Sequence, residues 1–390
     1  MKLKLSKNAK LYKTEALKQI FAAIASPNII SLAGGVPSPD SFPIELIRKL
    51  SNKVIDEHGA KALQYSKTAG IDEIRETLAD WMNERYDMKI KCENVMITTG
   101  STQAFDLFGK IFLDPKDNII VEDPSYLGAL WGFDPYRPSY ITVKSEADGI
   151  DTEELERKLK MYKNVKFLYI VSTFQNPTGR VIELSKRRQL VDLANKYDFL
   201  IIEDDPYGYL RYEGDPVDPI KKFDTEGRVV YLSTFSKILA PGYRIAFAVG
   251  NERIIEWLCD AKESADLHTN VFGQYLVNEY VKGGYVEKQI KKIIKLYKPR
   301  YKVMLSSLKK YFPKDAYWTE PEGGMFCWIE LDEKIDTTKL YKKAIDHNVA
   351  FVPGVHFYAK RDTKNTLRLN FSNVSEEKIK KGVRILGELI

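Results

Sequence analysis

The sequence predicts an α/β fold: a large, mostly parallel sheet covered by helices, followed by a smaller α+β domain. Two observations carry this. Short, nearly unbroken apolar runs recur at Val95–Thr98, Asn118–Val121, Phe167–Val171, Phe199–Ile202, Val229–Leu232 and Ile245–Val249, with amphipathic stretches between them at Ser101–Leu113, Glu153–Lys160 and Ser185–Lys196. Strands apolar on both faces that alternate with helices belong to a parallel sheet buried on both sides. Near Lys282–Tyr285 the pattern changes to a long basic helix over Val286–Tyr311, then short strands at Gly324–Leu331, Ala350–Pro353 and Thr366–Phe371, and a last helix from Ser375. The expected organisation is an N-terminal arm with part of the small domain over 1–45, a large domain over 46–285 and a small C-terminal domain over 286–390. A helix is expected over Thr14–Ala25, and the Gly-, Pro- and Ser-rich segment Asn28–Pro43 reads as a linker into the large domain.

Composition narrows the function classes. The 390 residues suffice for two domains, and the 44% hydrophobic and 29% charged content is that of a soluble globular protein. A net charge of +6, with basic and acidic residues interleaved, does not point to nucleic acid. Cys92, Cys259 and Cys327 have no metal or redox spacing and read as thiols of a cytoplasmic protein. No apolar stretch approaches a membrane span, and the N-terminus lacks the apolar core of a signal peptide.

In doubly covered parallel sheets, ligands bind at the carboxyl ends of the strands. The polar motifs of this chain fall there. Gly100-Ser101-Thr102-Gln103 opens a helix whose first N–H groups suit a phosphate, although Ser101 or Thr102 can equally act as a plain cap. Asp123-Pro124-Ser125-Tyr126 places Tyr126 where it can stack on a flat ring or simply pack. Gln175-Asn176-Pro177-Thr178-Gly179 is a common turn that also offers the Asn176 amide to a ligand. Glu203-Asp204-Asp205-Pro206-Tyr207 places acids and a phenol at a strand end, where the acids can simply cap a turn or face a ligand. Thr234-Phe235-Ser236-Lys237, with Arg244 downstream, puts a lysine between hydroxyls and an arginine, as needed for a Schiff base beside a phosphate. Pyridoxal phosphate (PLP) requires such a lysine, plus a carboxylate against its pyridine nitrogen, for which Asp204 is preferred to Asp205. Arg368 stands inside the apolar strand Thr366–Phe371, either half-exposed or forked onto a substrate carboxylate.

These motifs, in this order, resemble the fold-type I, PLP-dependent class I/II aminotransferases over nearly the whole chain. Ser31-Leu32-Ala33-Gly34-Gly35, Leu63-Gln64-Tyr65-Ser66, Ser172-Thr173-Phe174-Gln175-Asn176 and Pro321-Glu322-Gly323-Gly324 are most similar to the kynurenine/2-aminoadipate aminotransferase branch. The resemblance implies that Lys237 carries the cofactor and that Asp204 pairs with its ring nitrogen. It implies that Tyr207 and Asn176 bind O3′ and that Tyr126 stacks on the ring. It gives the phosphate to Ser101, Thr102, Thr234, Ser236 and Arg244, with Gln103 in the same segment. It gives the substrate α-carboxylate to Arg368, assisted by Asn176 and Gly35. Thr234 departs from the commoner serine but keeps the hydroxyl. Tyr65 is expected to reach the partner subunit's cofactor in a homodimer, and His268-Thr269-Asn270 reads as a second interfacial segment.

The implied activity is a ping-pong transfer of the amino group of an L-amino acid to a 2-oxo acid such as 2-oxoglutarate. Aromatic, large aliphatic, glutamate and 2-aminoadipate donors are all expected, with Lys18 of the N-terminal helix meeting a distal carboxylate. Two alternatives remain at this point. One is another PLP enzyme, a β-lyase (C–S lyase) or a decarboxylase. The other is a non-enzymatic regulator with an aminotransferase-like domain, disfavoured because only about 30 residues precede Ser31, too few for a winged helix-turn-helix.

Overall fold

The computed structural model describes residues 3–6, 8–12, 18, 22 and 25–390, so most of the helix expected over Thr14–Ala25 lies outside the described residues. The apolar runs assemble into an eight-stranded sheet. Its strands are β1 (Val95–Thr98), β2 (Asn118–Asp123), β3 (Ser139–Glu146), β4 (Gly149–Ile150), β5 (Val165–Val171), β6 (Leu200–Asp204), β7 (Val229–Thr234) and β8 (Ala246–Val249). Their order is β1-β8-β7-β6-β5-β2-β3-β4. The β3–β2–β5–β6–β7 core is parallel, whereas β8 runs antiparallel to both β1 and β7, and β4 antiparallel to β3.

Period-2 alternation divides each central strand between two cores. In β5, Phe167, Tyr169 and Val171 join a cluster with Phe105 and Phe108 of helix Ser101–Phe112 and Leu258 of helix Glu252–Asp266. Leu168 and Ile170 join Leu155 of helix Thr152–Met161 and Leu190 of helix Leu184–Tyr197 on the other face. This explains why the strands read as continuous apolar runs.

Four antiparallel-paired strands form a second sheet: β9 (Tyr317–Trp318), β10 (Phe326–Glu330), β11 (Val352–Pro353) and β12 (Thr366–Asn370), in the order β9-β10-β12-β11. The segment Asn28–Pro43 is more than a linker. Ile30–Ser31 pairs in parallel with Val349–Ala350, and Leu32 and Ala33 are buried. The Leu32 N–H donates to the Ala350 carbonyl at 2.8 Å, and its carbonyl accepts from the Asn370 N–H at 2.7 Å. At Gly35 a β-carbon would meet the Phe326 ring at 3.1 Å, so the segment runs close against the second sheet and brings Gly35 to the cavity described below. Elements beyond the expected ones include strand β3 and helices Ile44–Ala62, Asp72–Tyr86, Leu127–Phe133, Glu252–Asp266, Val271–Lys282 and Thr337–Asp346. Asn270, expected at an interface, caps helix Val271–Lys282 by accepting from the Gly273 N–H at 2.6 Å. Among the described residues no helix is long and apolar enough to cross a membrane.

Candidate active site

Connections from β2 and β5 leave in opposite directions along the sheet, which opens a crevice at their carboxyl ends. Beside it, β1 ends and the chain turns at Gly100, whose φ of 77° favours glycine. A β-carbon at Gly100 would overlap the Arg244 guanidinium, so the turn exists in part to admit that side chain. Because β8 is antiparallel to its neighbours, its first residues lie at this same edge, and Arg244 just precedes it. The guanidinium therefore meets the N-terminus of helix Ser101–Phe112, where first-turn N–H groups lack helical partners. The buried Ser101 hydroxyl has no hydrogen-bond partner among the described residues. Together these groups form a seat for an anion.

Strand β7 leads into Thr234-Phe235-Ser236-Lys237. The Thr234 and Ser236 hydroxyls are hydrogen-bonded at 2.9 Å, which tightens the turn. Lys237 donates from Nζ to the Gly35 carbonyl at 2.9 Å. At the end of β6, Asp204 accepts at Oδ2 from the Tyr169 hydroxyl at 2.8 Å, while its buried Oδ1 has no partner among the described residues. Asp205 is different. Its Oδ1 accepts from the Gly208 N–H at 2.8 Å and its Oδ2 from the Tyr231 hydroxyl at 3.1 Å, so both oxygens are engaged. The turn after β5 brings the Asn176 amide to the Tyr207 hydroxyl at 3.4 Å. Tyr126 lies against Gly128, where a β-carbon would overlap its ring, and its edge contacts Phe105.

Arg368 is buried, not half-exposed. It donates from Nη1 to Asn176 Oδ1 and from Nη2 to the Ala33 carbonyl, both at 2.7 Å, and lies over Phe326 and Phe357. Among the described residues Nε has no partner and no carboxylate pairs with this guanidinium. A buried charge without a counter-ion is costly, and an incoming anion removes that cost.

These groups enclose a cavity of about 200 Å³ lined by Gly35, Ser101, Thr102, Tyr126, Asn176, Asp204, Tyr207, Thr234, Ser236, Lys237, Arg244 and Arg368. Val36, Leu127, Val171 and Pro206 complete the lining and were not anticipated, since apolar wall residues carry no chemical signal in sequence. Gln103 does not line the cavity. Its carboxamide oxygen accepts from the Thr99 N–H at 2.9 Å and the Lys262 ammonium at 2.8 Å, so it fixes the turn and helix Glu252–Asp266 instead. Tyr65 is 78% exposed outside the cavity, edge-on to His268. Lys18 is helical and exposed and does not line the cavity either.

The family model for aminotransferases of class I and II matches residues 27–386. The chain belongs to the class I and II aminotransferases. It is 47% identical over 382 residues to aromatic-amino-acid aminotransferase 1 of Thermococcus litoralis, covering 97% of this chain and 92% of that protein. Among solved structures it is similar to a Pyrococcus horikoshii kynurenine aminotransferase in complex with PMP and kynurenine, with a TM-score of 0.95, 48% identity, and coverage of 99% of this chain and 96% of that one. It also resembles LysN, the α-aminoadipate aminotransferase of Thermus thermophilus, complexed with N-(5′-phosphopyridoxyl)-L-leucine, with a TM-score of 0.92, 36% identity, and coverage of 99% and 96%.

The cofactor of this aminotransferase is pyridoxal 5′-phosphate, and the residues present fit it. The anion seat suits the phosphate, Tyr126 suits a flat ring, and the unpartnered Asp204 oxygen suits a protonated ring nitrogen. Electrostatics agree. Burial, then Arg244 and Arg368, lower the Lys237 ammonium to about 8, against the opposing pull of Asp204. Burial raises Asp204 to about 7, opposed by the Tyr169 hydrogen bond. Burial lowers Arg368 to about 10, which leaves it charged at neutral pH.

Proposed function

We propose that this aminotransferase moves the amino group of aromatic, large aliphatic and acidic L-amino acids, the last including glutamate and 2-aminoadipate, to a 2-oxo acid such as 2-oxoglutarate. The observation that carries this is Arg368: a buried, charged fork without an acid partner, in the same cavity as Lys237. The relatives named for aromatic amino acids, kynurenine and aminoadipate support a pocket of that breadth.

When bound, pyridoxal phosphate supplies an electrophilic carbonyl and a ring that accepts electrons from the substrate's Cα. The chain's residues supply the rest. Arg368 and Asn176 hold the α-carboxylate, with the Gly35 backbone nearby, and orient the Cα–H bond. Clamping the carboxylate retains it and so works against decarboxylation. Lys237, as a neutral amine, would be the base that takes the Cα proton and returns it at C4′. Asp204 would hold a proton on the ring nitrogen, Tyr207 and Asn176 would meet O3′, and Tyr126 would cover the ring face. Ser101, Thr102, Thr234, Ser236 and Arg244 anchor the phosphate.

A screen of amino donors with 2-oxoglutarate tests this reading. Turnover is expected with tyrosine or phenylalanine, leucine and 2-aminoadipate, with parallel double-reciprocal lines when donor and acceptor are varied. Intersecting lines, or no 2-oxo acid product from any of these donors, would overturn it. Borohydride reduction should fix the cofactor on a peptide containing Lys237, and label on another lysine removes that assignment.

The dimer belongs to the same proposal. Leu63 and Tyr65 are 76% and 78% exposed on one loop after helix Ile44–Ala62, an arrangement suited to a partner subunit that receives Tyr65 at its phosphate. Sedimentation of the holoenzyme should show a dimer, and Tyr65→Phe should weaken cofactor retention. A fully active monomer at nanomolar concentration contradicts this.

A further inference from the structure

Tyr169 does not line the cavity, yet among the described residues its hydroxyl is the side-chain group hydrogen-bonded to Asp204. Register explains the meeting. In the parallel pair β5–β6, Val171 lies opposite Asp204 and Tyr169 opposite Ile202. Alternation puts Tyr169 and Asp204 on one face as diagonal neighbours, a gap that a tyrosine spans. The Tyr169 ring is fully buried and held edge-on by Phe105 and Phe133, with centroids 5.4 and 5.9 Å away. Phe105 also meets Tyr126 edge-on at 6.3 Å, one turn into the helix that presents Ser101 and Thr102. The hydroxyl is thus aimed by the same packing that sets the ring seat and the anion seat.

Any buried tyrosine needs a hydrogen-bond partner, and a main-chain carbonyl would serve. Here the partner is one oxygen of a carboxylate whose other oxygen is left unpartnered. A donor on one oxygen fixes rotation of the carboxyl group. It also favours the charged form, against burial and the nearby Asp205 and together with Lys237. We infer that Tyr169 is a positioning residue: its hydroxyl orients the Asp204 carboxylate and keeps it ionised towards the cofactor's ring nitrogen. This rests on the assignment of Asp204 to that nitrogen.

Tyr169→Phe removes one oxygen atom and leaves the ring packing in place. Three quantities are to be measured on the holoenzyme: steady-state kinetics, the dissociation constant of pyridoxal phosphate, and the absorption spectrum of the bound cofactor. We expect kcat to fall about 10- to 100-fold, as for losing a hydrogen bond to a charged group. KM for the amino donor should stay near wild type because Arg368 is untouched. The dissociation constant should rise and the spectrum should change. 3-Fluorotyrosine at position 169, which keeps the donor, should retain wild-type behaviour. An unchanged spectrum and dissociation constant in Tyr169→Phe, or equal losses in the phenylalanine and fluorotyrosine proteins, overturns the inference. Asp204→Asn measured alongside separates the two levels. If it too keeps the wild-type spectrum and affinity, the assignment of Asp204 fails and the inference with it. If Asp204→Asn changes both and Tyr169→Phe neither, only the inference falls.

Discussion

Lys237→Ala is expected to lower turnover by at least ~10⁴-fold, the upper range for one positioned acid–base group. Among the described residues no other amine lines the cavity, so none of them can take over proton transfer between Cα and C4′. The anion seat is separate from the lysine, so the variant should still bind pyridoxal phosphate, more weakly and without a covalent link. Lys237→Arg sharpens the test. It keeps a positive charge at nearly the same place but cannot lose its proton at working pH. If the role is proton transfer, arginine fails as badly as alanine. If charge alone matters, arginine retains activity, and the base must be sought elsewhere. The sign of the pH effect follows from the environment. Burial and two arginines bring the ammonium down from 10.5 to about 8, so in cofactor-free protein the neutral fraction rises as pH passes about 8. Labelling of Lys237 by trinitrobenzenesulfonate should titrate there, and removing the Arg244 charge should move the midpoint upward.

Much of this site is legible in the sequence because its parts sit where apolar strands stop. Val95–Thr98 coincides with β1, and each of the other motif-bearing runs overlaps a strand. A parallel sheet with a helix on each face leaves its polar residues nowhere but the ends. The expectation weakens where a signal has two physical causes. Gln103 carries a polar amide in a phosphate-type turn, yet Thr99 and Lys262 claim it, and a lysine on a distant helix is invisible in linear order. Tyr169 reads as one more aromatic in a strand, and only the pairing register connects it with Asp204. Strand β3 escaped because just its middle is buried, so its ends read as polar loop. Helices Ile44–Ala62 and Asp72–Tyr86 begin without a side-chain cap, which removes their clearest start signal.

The second large effect concerns which of two adjacent acids serves the ring. Asp204→Asn should cost roughly 10²–10³-fold in kcat, about 3–4 kcal/mol, the loss typical of one preorganised electrostatic group at a reacting centre. Asn is nearly isosteric and can still accept from Tyr169, so the damage would come from the missing charge. Asp205→Asn should cost less than about 10-fold, because its two hydrogen bonds hold a turn outside the cavity and an amide oxygen can still accept one of them. Its position gives a second reason. Asp205 raises the pKa of Asp204 through charge repulsion, so removing its charge favours the ionised form of Asp204. Both oxygens of Asp205 are engaged by Gly208 and Tyr231, and neither reaches the cavity. Kinetics of the two variants at one pH, with cofactor saturating, decide the matter. Equal losses would show that the carboxylate pair acts as a unit, and a larger loss for Asp205→Asn would move the ring partner one residue along the chain. The unpartnered Oδ1 of Asp204 argues for neither outcome: among the described residues nothing pairs with this buried carboxylate oxygen at the end of a central strand, and such an oxygen has a ligand to meet.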